Sequence, residues 1–301
     1  MYDIAIVGAG PAGLSAAIYG TRAGKSVVVF EAMTYGGQIV NTPEIENYPG
    51  IRQISGFDFA TGLYEQATGL GAEVVYEKVT GIEDKGSYKR VLTESGSYEA
   101  RSVILATGAK NRPLGLDHEQ ELIGAGVSYC ATCDGAFFKG KDVVVVGGGS
   151  TALEDAAYLC GYCRTVYLIH RRSQFRGEEA VVEKLRQKPN IIFELDSRVI
   201  RLNGESRLES IEVEQVQTGE IRTIPVDGLF VAIGQMPDNQ AFSDLVNVDD
   251  AGYIRAMESC ETNVPGIFTA GDCRTKKVRQ LATAAADGAV AALAACEYLS
   301  F

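Results

Sequence analysis

Short, unbroken apolar runs rich in Val and Ile, each closed by glycine, punctuate the chain and read as buried strands, and alanine-rich stretches of helical character follow them. Residues 2–7 form the first run and pass directly into Gly8-Ala9-Gly10-Pro11-Ala12-Gly13, which opens a helical stretch over 14–21. A second strand over 26–30 ends in Glu31, 18 residues after Gly13. Strand, glycine turn, helix, strand and terminal acid make up a dinucleotide-binding fingerprint. The pattern then recurs. Residues 142–146 are apolar after Asp142, Gly147-Gly148-Gly149-Ser150-Thr151-Ala152 opens a helix, and a strand over 165–169 closes the copy. Ala152 stands at the third glycine position, where only a small side chain is required for helix to pack on strand. Each copy also carries a distal strand ending in glycine, at 103–108 with Thr107-Gly108 and at 229–234. The chain therefore reads as an internally duplicated α/β protein with two Rossmann-like dinucleotide-binding domains.

One more strand is predicted over 266–272, closing on Gly271-Asp272, and a final alanine-rich helix over 281–299. This tail is too short to fold alone, so its strand is expected to complete the first sheet. The second domain is then an insertion: residues 1–113 and 244–301 form one domain and 114–243 the other. Two crossings, near 113–115 and 242–245, imply a hinge that lets the domains rotate as rigid bodies. A length of 301 residues suits two cores.

Composition narrows the possible functions. Apolar residues make up 46% of the chain and charged ones 22%, as in folded soluble proteins. A net charge of -11 opposes attraction to nucleic acid or anionic lipid. No apolar run reaches the roughly 18 to 20 residues that span a bilayer. The start of the chain shows no basic region, signal core or cleavage site, so a cytoplasmic location is expected. Seven cysteines in such a chain do not read as a disulfide framework.

The two copies differ where the second strand ends, and the difference separates their ligands. Glu31 can accept hydrogen bonds from ribose hydroxyls but repels a 2′-phosphate, so the first site suits FAD or NAD. The second copy presents His170-Arg171-Arg172, with Arg176 one turn on, and guanidinium groups pair with phosphate through charge-assisted hydrogen bonds. That site suits NADPH. In both turns, backbone N–H groups can approach a pyrophosphate at the positive end of a helix.

Cys130-Ala131-Thr132-Cys133 lies between the two nucleotide modules, with the spacing of a redox dithiol, and Asp134 beside it can move the proton that thiol–disulfide exchange requires. Cys160-Gly161-Tyr162-Cys163 is a second C-x-x-C, at the end of the helix that starts at Ser150. Read together, the pairs are separated by 26 residues, longer than the roughly 15 to 20 of zinc ribbons, so no metal site is expected. Cys160, Cys163, Cys260, Cys273 and Cys296 read as packing thiols. Only His118 and His170 occur, neither in a hydrolytic grouping.

Gly8 to Gly13, Gly36-Gly37-Gln38, Asn47-Tyr48-Pro49-Gly50, Ala106-Thr107-Gly108, the Cys130 to Asp134 segment, His170-Arg171-Arg172 and Gly271-Asp272, in that order, resemble the low-molecular-weight thioredoxin reductases of bacteria. The likeness runs almost end to end. Lipoamide-dehydrogenase relatives instead place their cysteines in the FAD domain and carry a further dimerisation domain. The resemblance implies that Gly8, Gly10, Pro11, Ala12, Gly13, Glu31, Gly36, Gly37, Gln38, Asn47, Thr107, Gly108, Gly271, Asp272, Arg279 and Gln280 serve FAD. It implies that Gly147, Gly149, Ser150, Thr151, His170, Arg171, Arg172 and Arg176 serve NADPH. It implies that Cys133 faces the flavin while Cys130 attacks the partner, a thioredoxin, and that the protein is a homodimer held through its FAD domains. Two departures stand out: Ser150-Thr151, where Asn or Asp is frequent, and Ser173-Gln174, where an acid is common. The Ser150 hydroxyl is expected to cap its helix in place of the missing amide or acid. A ferredoxin-driven flavin reductase is disfavoured by the arginines, and a flavin-binding sensor without turnover by the complete dithiol and aspartate set.

Overall fold

The first strand, β1 (Tyr2–Val7), is fully buried from Ile4 to Ile6, and it leads through the glycine turn into α1 (Pro11–Arg22). The helix begins three residues earlier than its apolar pattern predicts. Gly10 is its extended N-cap, and Pro11 occupies the first turn, where its missing N–H is not needed. The computed structural model describes residues 1–42 and 44–300.

The chain continues through β2 (Val27–Phe30), α2 (Gly56–Gly69), β3 (Glu73–Val75), β4 (Val79–Asp84), β5 (Lys89–Thr93), β6 (Ser97–Leu105) and β7 (Ala109–Asn111). It then forms β8 (Val127–Ser128), α3 (Ala131–Asp134), β9 (Asp142–Val146), α4 (Ser150–Leu159), β10 (Thr165–His170), α5 (Glu179–Arg186), β11 (Ile191–Leu195), β12 (Ser197–Asn203), β13 (Ser210–Gln215), β14 (Ile221–Pro225) and β15 (Gly228–Val231). The last elements are β16 (Gln235–Pro237), β17 (Ile267–Thr269) and α6 (Leu281–Tyr298).

Two compact units result, one of residues 1–110 with 236–301 and the other of residues 111–235. The sequence pattern places the second crossing near 242–245, whereas the division falls between Gln235 and Met236. The reason is local. Gln235–Pro237 is already engaged as β16, in a two-stranded sheet with β7.

In the first unit, the order β3-β2-β1-β6 is parallel throughout, and β17 adds to it by parallel pairing of Ile267 to Thr269 with Val103 to Leu105. The tail thus completes the first sheet. β4, β5 and the start of β6 form an antiparallel meander on that edge. Phe30 is 1% exposed, and burying a side chain of that size contributes about 1.5–3 kcal/mol. α1 and α6 pack closely through Ala16, Ala17, Ala291 and Ala292. A Cβ at Gly288 would lie 2.1 Å from the Ala12 carbonyl oxygen, so only glycine allows this approach.

The second unit repeats the arrangement. Its parallel sheet runs β11-β10-β9-β15-β8, with β9 and β10 as counterparts of β1 and β2, and β12-β13-β14 form a separate antiparallel sheet. The duplication read from the glycine turns is therefore present in the strand order. No helix among the described residues is long and apolar enough to cross a membrane.

Candidate active site

The two glycine turns divide their tasks in the same way. In the first, a Cβ at Gly8 would meet the Ala106 carbonyl oxygen at 2.3 Å, and one at Gly13 would meet the Gly8 carbonyl oxygen at 1.9 Å. These glycines are required by the protein's own packing. Gly10 is different: its φ of -76° suits any residue, and nothing lies within 4 Å of where its Cβ would stand. In the second turn, a Cβ at Gly147 would meet the Ala232 carbonyl oxygen at 2.4 Å, while Gly149, with φ of -96°, again has nothing within 4 Å. Neither backbone strain nor a protein neighbour calls for glycine at Gly10 or Gly149. That open space at a helix N-terminus is compatible with close approach of an anion such as phosphate.

Several of the residues expected to serve FAD are brought together around the first turn. Glu31 accepts hydrogen bonds from the backbone N–H of Ala9 at 2.9 Å and of Met33 at 3.0 Å, which fixes its carboxylate at the turn. Gly36 donates its N–H to the Ala9 carbonyl at 2.7 Å, and a Cβ on Gly37 would lie 3.4 Å from the Gly10 Cα. Gly271 is equally near, its Cβ position being 2.8 Å from the Ala12 Cβ. Beside it, Asp272 keeps one carboxylate oxygen, Oδ1, buried without a hydrogen-bond partner, and burial raises its pKa. An unsatisfied buried acceptor beside a phosphate-binding turn fits a flavin dinucleotide with hydroxyl donors. Gln38 donates to the Ala109 carbonyl at 2.6 Å, Thr107 donates to Asn239 at 2.7 Å, and Asn47 donates to Gln280 at 3.4 Å. Gln280 in turn forms a capping box with Thr283 at the start of α6.

In the second unit the arginines and the histidine part company. Arg171, Arg172 and Arg176 are exposed and form no ion pair among the described residues. Arg176 also donates its N–H to the Gly148 carbonyl at 2.6 Å, which ties it to the glycine turn. His170 is 6% exposed, bonded through Nε2 to the Gln174 carbonyl oxygen at 3.1 Å and stacked on Phe175. Burial lowers its pKa. A Cβ at Gly148 would lie 2.1 Å from the His170 ring, so the imidazole is the surface on which the turn rests. His170 is thus packed beneath the turn, while the charge exposed beside it is that of the three arginines.

The Ser150 hydroxyl does not cap α4, contrary to expectation. Gly149 is the N-cap, extended and without a side-chain cap bond, so Ser150 already lies inside the helix. An extended glycine leaves the first N–H groups of the helix open, which a side-chain cap would occupy.

Cys130 and Cys133 are joined in a disulfide with Cα atoms 5.3 Å apart. α3 begins immediately after Cys130 and carries Cys133 back over it, with the Cys133 N–H donating to the Cys130 carbonyl at 3.2 Å. Asp134 is half-buried and makes no capping bond; burial raises its pKa, opposed by the Ser128 hydroxyl, which donates to it at 2.6 Å. The same hydroxyl accepts from the Cys130 N–H at 3.0 Å, so one serine holds both the acid and the dithiol loop. No motif spacing marks Ser128, which the structure places at the end of a two-residue strand just before Cys130.

The remaining five cysteines are thiols. Burial raises Cys163 to about 11 and also pushes up Cys160, which leaves little thiolate for exchange. The second C-x-x-C is therefore a packing element, with the Asn190 amide donating to the carbonyls of both cysteines.

The family model for pyridine nucleotide-disulphide oxidoreductases matches residues 2–289. Over 306 aligned residues the chain is 44% identical to a thioredoxin reductase of Peptoclostridium acidaminophilum, covering 99% of this chain and 97% of that one. A thioredoxin reductase of Treponema pallidum is 43% identical, with the same coverage. Among solved structures, the thioredoxin reductase of Streptococcus pyogenes superposes with a TM-score of 0.95 at 42% identity, over 100% of this chain and 99% of the other.

Proposed function

The chain belongs to the pyridine nucleotide-disulphide oxidoreductase family, and we propose that it reduces the disulfide of a thioredoxin with electrons drawn from NADPH by way of FAD and the Cys130–Cys133 pair. The observation that carries this reading is the disulfide between Cys130 and Cys133 beside a half-buried acid, in a chain whose two glycine turns each keep a glycine that no protein neighbour requires. Bound FAD and NADPH supply the two-electron hydride chemistry.

The protein's own residues do the rest. Gly8, Gly10, Pro11, Ala12, Gly13, Glu31, Gly36, Gly37, Gln38, Asn47, Thr107, Gly108, Gly271, Asp272, Arg279 and Gln280 hold the flavin dinucleotide, with Glu31 accepting from ribose. Gly147, Gly149, Ser150 and Thr151 cradle the second pyrophosphate, and Arg171, Arg172 and Arg176 read the 2′-phosphate. Once the disulfide is open, the Cys130 thiolate attacks one sulfur of the partner disulfide to form a mixed disulfide. Cys133 then attacks Cys130, re-forming the intramolecular bond and releasing the partner as a dithiol. Asp134, held by Ser128, gives and takes the proton at the sulfur that is not bonded to the partner. A cytoplasmic setting is supported by the five cysteines that remain thiols. A homodimer formed through the first unit is supported by the exposed Tyr19 on α1 and Val290 and Leu293 on α6.

Alkylation of the holoprotein before and after NADPH tests the redox pair. Mass spectrometry should find label at Cys130 and Cys133 only after reduction. New label at Cys160 and Cys163, with Cys130 and Cys133 unchanged, would overturn the assignment.

A further inference from the structure

Asp287 lies on α6 within an otherwise apolar alanine-rich stretch and is 8% exposed. Its carboxylate accepts four hydrogen bonds: Arg274 donates through Nη2 and Nε, both at 2.8 Å, Lys276 through Nζ at 2.8 Å, and Gly271 through its backbone N–H at 3.0 Å. Arg274 is likewise 8% exposed, and the Lys276 side chain 7%. Packing alone does not explain the cluster, because buried ion pairs can usually be replaced by apolar groups without loss of stability.

Its position indicates what it serves. The Gly271 bond places Asp287 one residue from Asp272, whose buried Oδ1 has no hydrogen-bond partner. Arg279 donates to the carbonyl of Asp272 at 3.2 Å and to that of Arg274 at 3.3 Å, closing the turn from the other end. Around the turn, the three cations Arg274, Lys276 and Arg279 thus face the two acids Asp287 and Asp272, leaving at least one positive charge in excess. Buried charge acts at longer range than exposed charge, because little water screens it.

Resting on the reading that the first unit holds FAD, we propose that Asp287 is a positioning residue of the flavin site: with Arg274 and Lys276 it fixes the Gly271–Asp272 turn and sets a net positive field there that favours the reduced, more negative flavin. Asp287→Asn removes a negative charge from the cluster and Lys276→Met removes a positive one. The flavin midpoint potential of the two holoproteins, measured by spectroelectrochemistry, should shift in opposite directions, to less negative for Asp287→Asn and to more negative for Lys276→Met. Lys276→Arg, which keeps the charge, should stay near the starting value.

Loosening of the turn without a field effect would move both variants the same way, and that result, or no shift in either, would overturn the proposal. If Asp287→Asn fails to retain FAD, the comparison of Lys276→Met with Lys276→Arg decides, and equal potentials for those two would overturn it. NADPH binding by the second unit, unchanged in all three variants, checks that the chains are folded. If the unsubstituted protein takes up no FAD, it is the functional reading above that fails.

Discussion

Asp134 illustrates how burial sets chemistry at a single residue. Because desolvation raises its pKa, Asp134 holds a proton more readily than an exposed aspartate does, which suits exchange of a proton with the sulfur that is not bonded to the partner. Asp134→Asn should lower thioredoxin reduction by roughly 10²-fold while leaving flavin reduction by NADPH intact, as stopped-flow absorbance can separate. An equal loss in both steps would place Asp134 outside the exchange reaction. For the exposed arginines, Arg171→Ala combined with Arg172→Ala should weaken NADPH far more than NADH, since each lost charge-assisted hydrogen bond costs about 1.5–3 kcal/mol. Titrations showing the same loss for both nucleotides would remove these residues from 2′-phosphate recognition. The cysteine pair and Glu31 are visible because they stand at fixed spacings within motifs. Ser128 belongs to no such motif although its partners Cys130 and Asp134 follow closely along the chain, and Asp287 meets Gly271, Arg274 and Lys276 only through folding.

The glycine turns allow a prediction for whole elements, since their geometry separates glycines that the fold requires from glycines that no protein neighbour requires. Gly10→Ala should fold, with an N-cap cost under about 1 kcal/mol, yet fail to retain FAD. Gly149→Ala should fold and retain FAD but lose NADPH. Retention of each cofactor by its respective variant, measured by ultrafiltration and titration, would deny the phosphate-binding role. On α4, burial raises Asp155 to about 7. A raised carboxylate contributes stability that is fully present below its ordinary value of 3.8 and is lost as pH rises through about 7. Relative to Asp155→Asn, the unsubstituted protein should therefore lose denaturant resistance between about pH 4 and about pH 7, and parallel profiles would contradict this. The parallel strands were legible because they are continuous apolar runs. The meander of β4 and β5 was not: its strands are half-exposed, and β5 opens with Lys89, a cation buried to 1% by its ion pair with Asp84.

For the whole molecule, duplication and insertion followed from the repeated strand–turn–helix pattern and from a tail too short to fold alone. The exact crossing did not, because β16 offers only three residues and no distinct pattern. The arrangement repeats a Rossmann-like unit and puts the dithiol in the unit that carries the arginines. Electrons leave it through Cys130 and Cys133 toward a thioredoxin. The most direct test is to follow NADPH oxidation by the FAD-loaded protein as oxidised thioredoxin is added, while counting the thiols formed. Each NADPH consumed should yield one thioredoxin dithiol, Cys130→Ser and Cys133→Ser should abolish this turnover, and Cys160→Ser should sustain it. NADPH consumption that does not respond to thioredoxin, or turnover that survives in Cys130→Ser, would contradict this route.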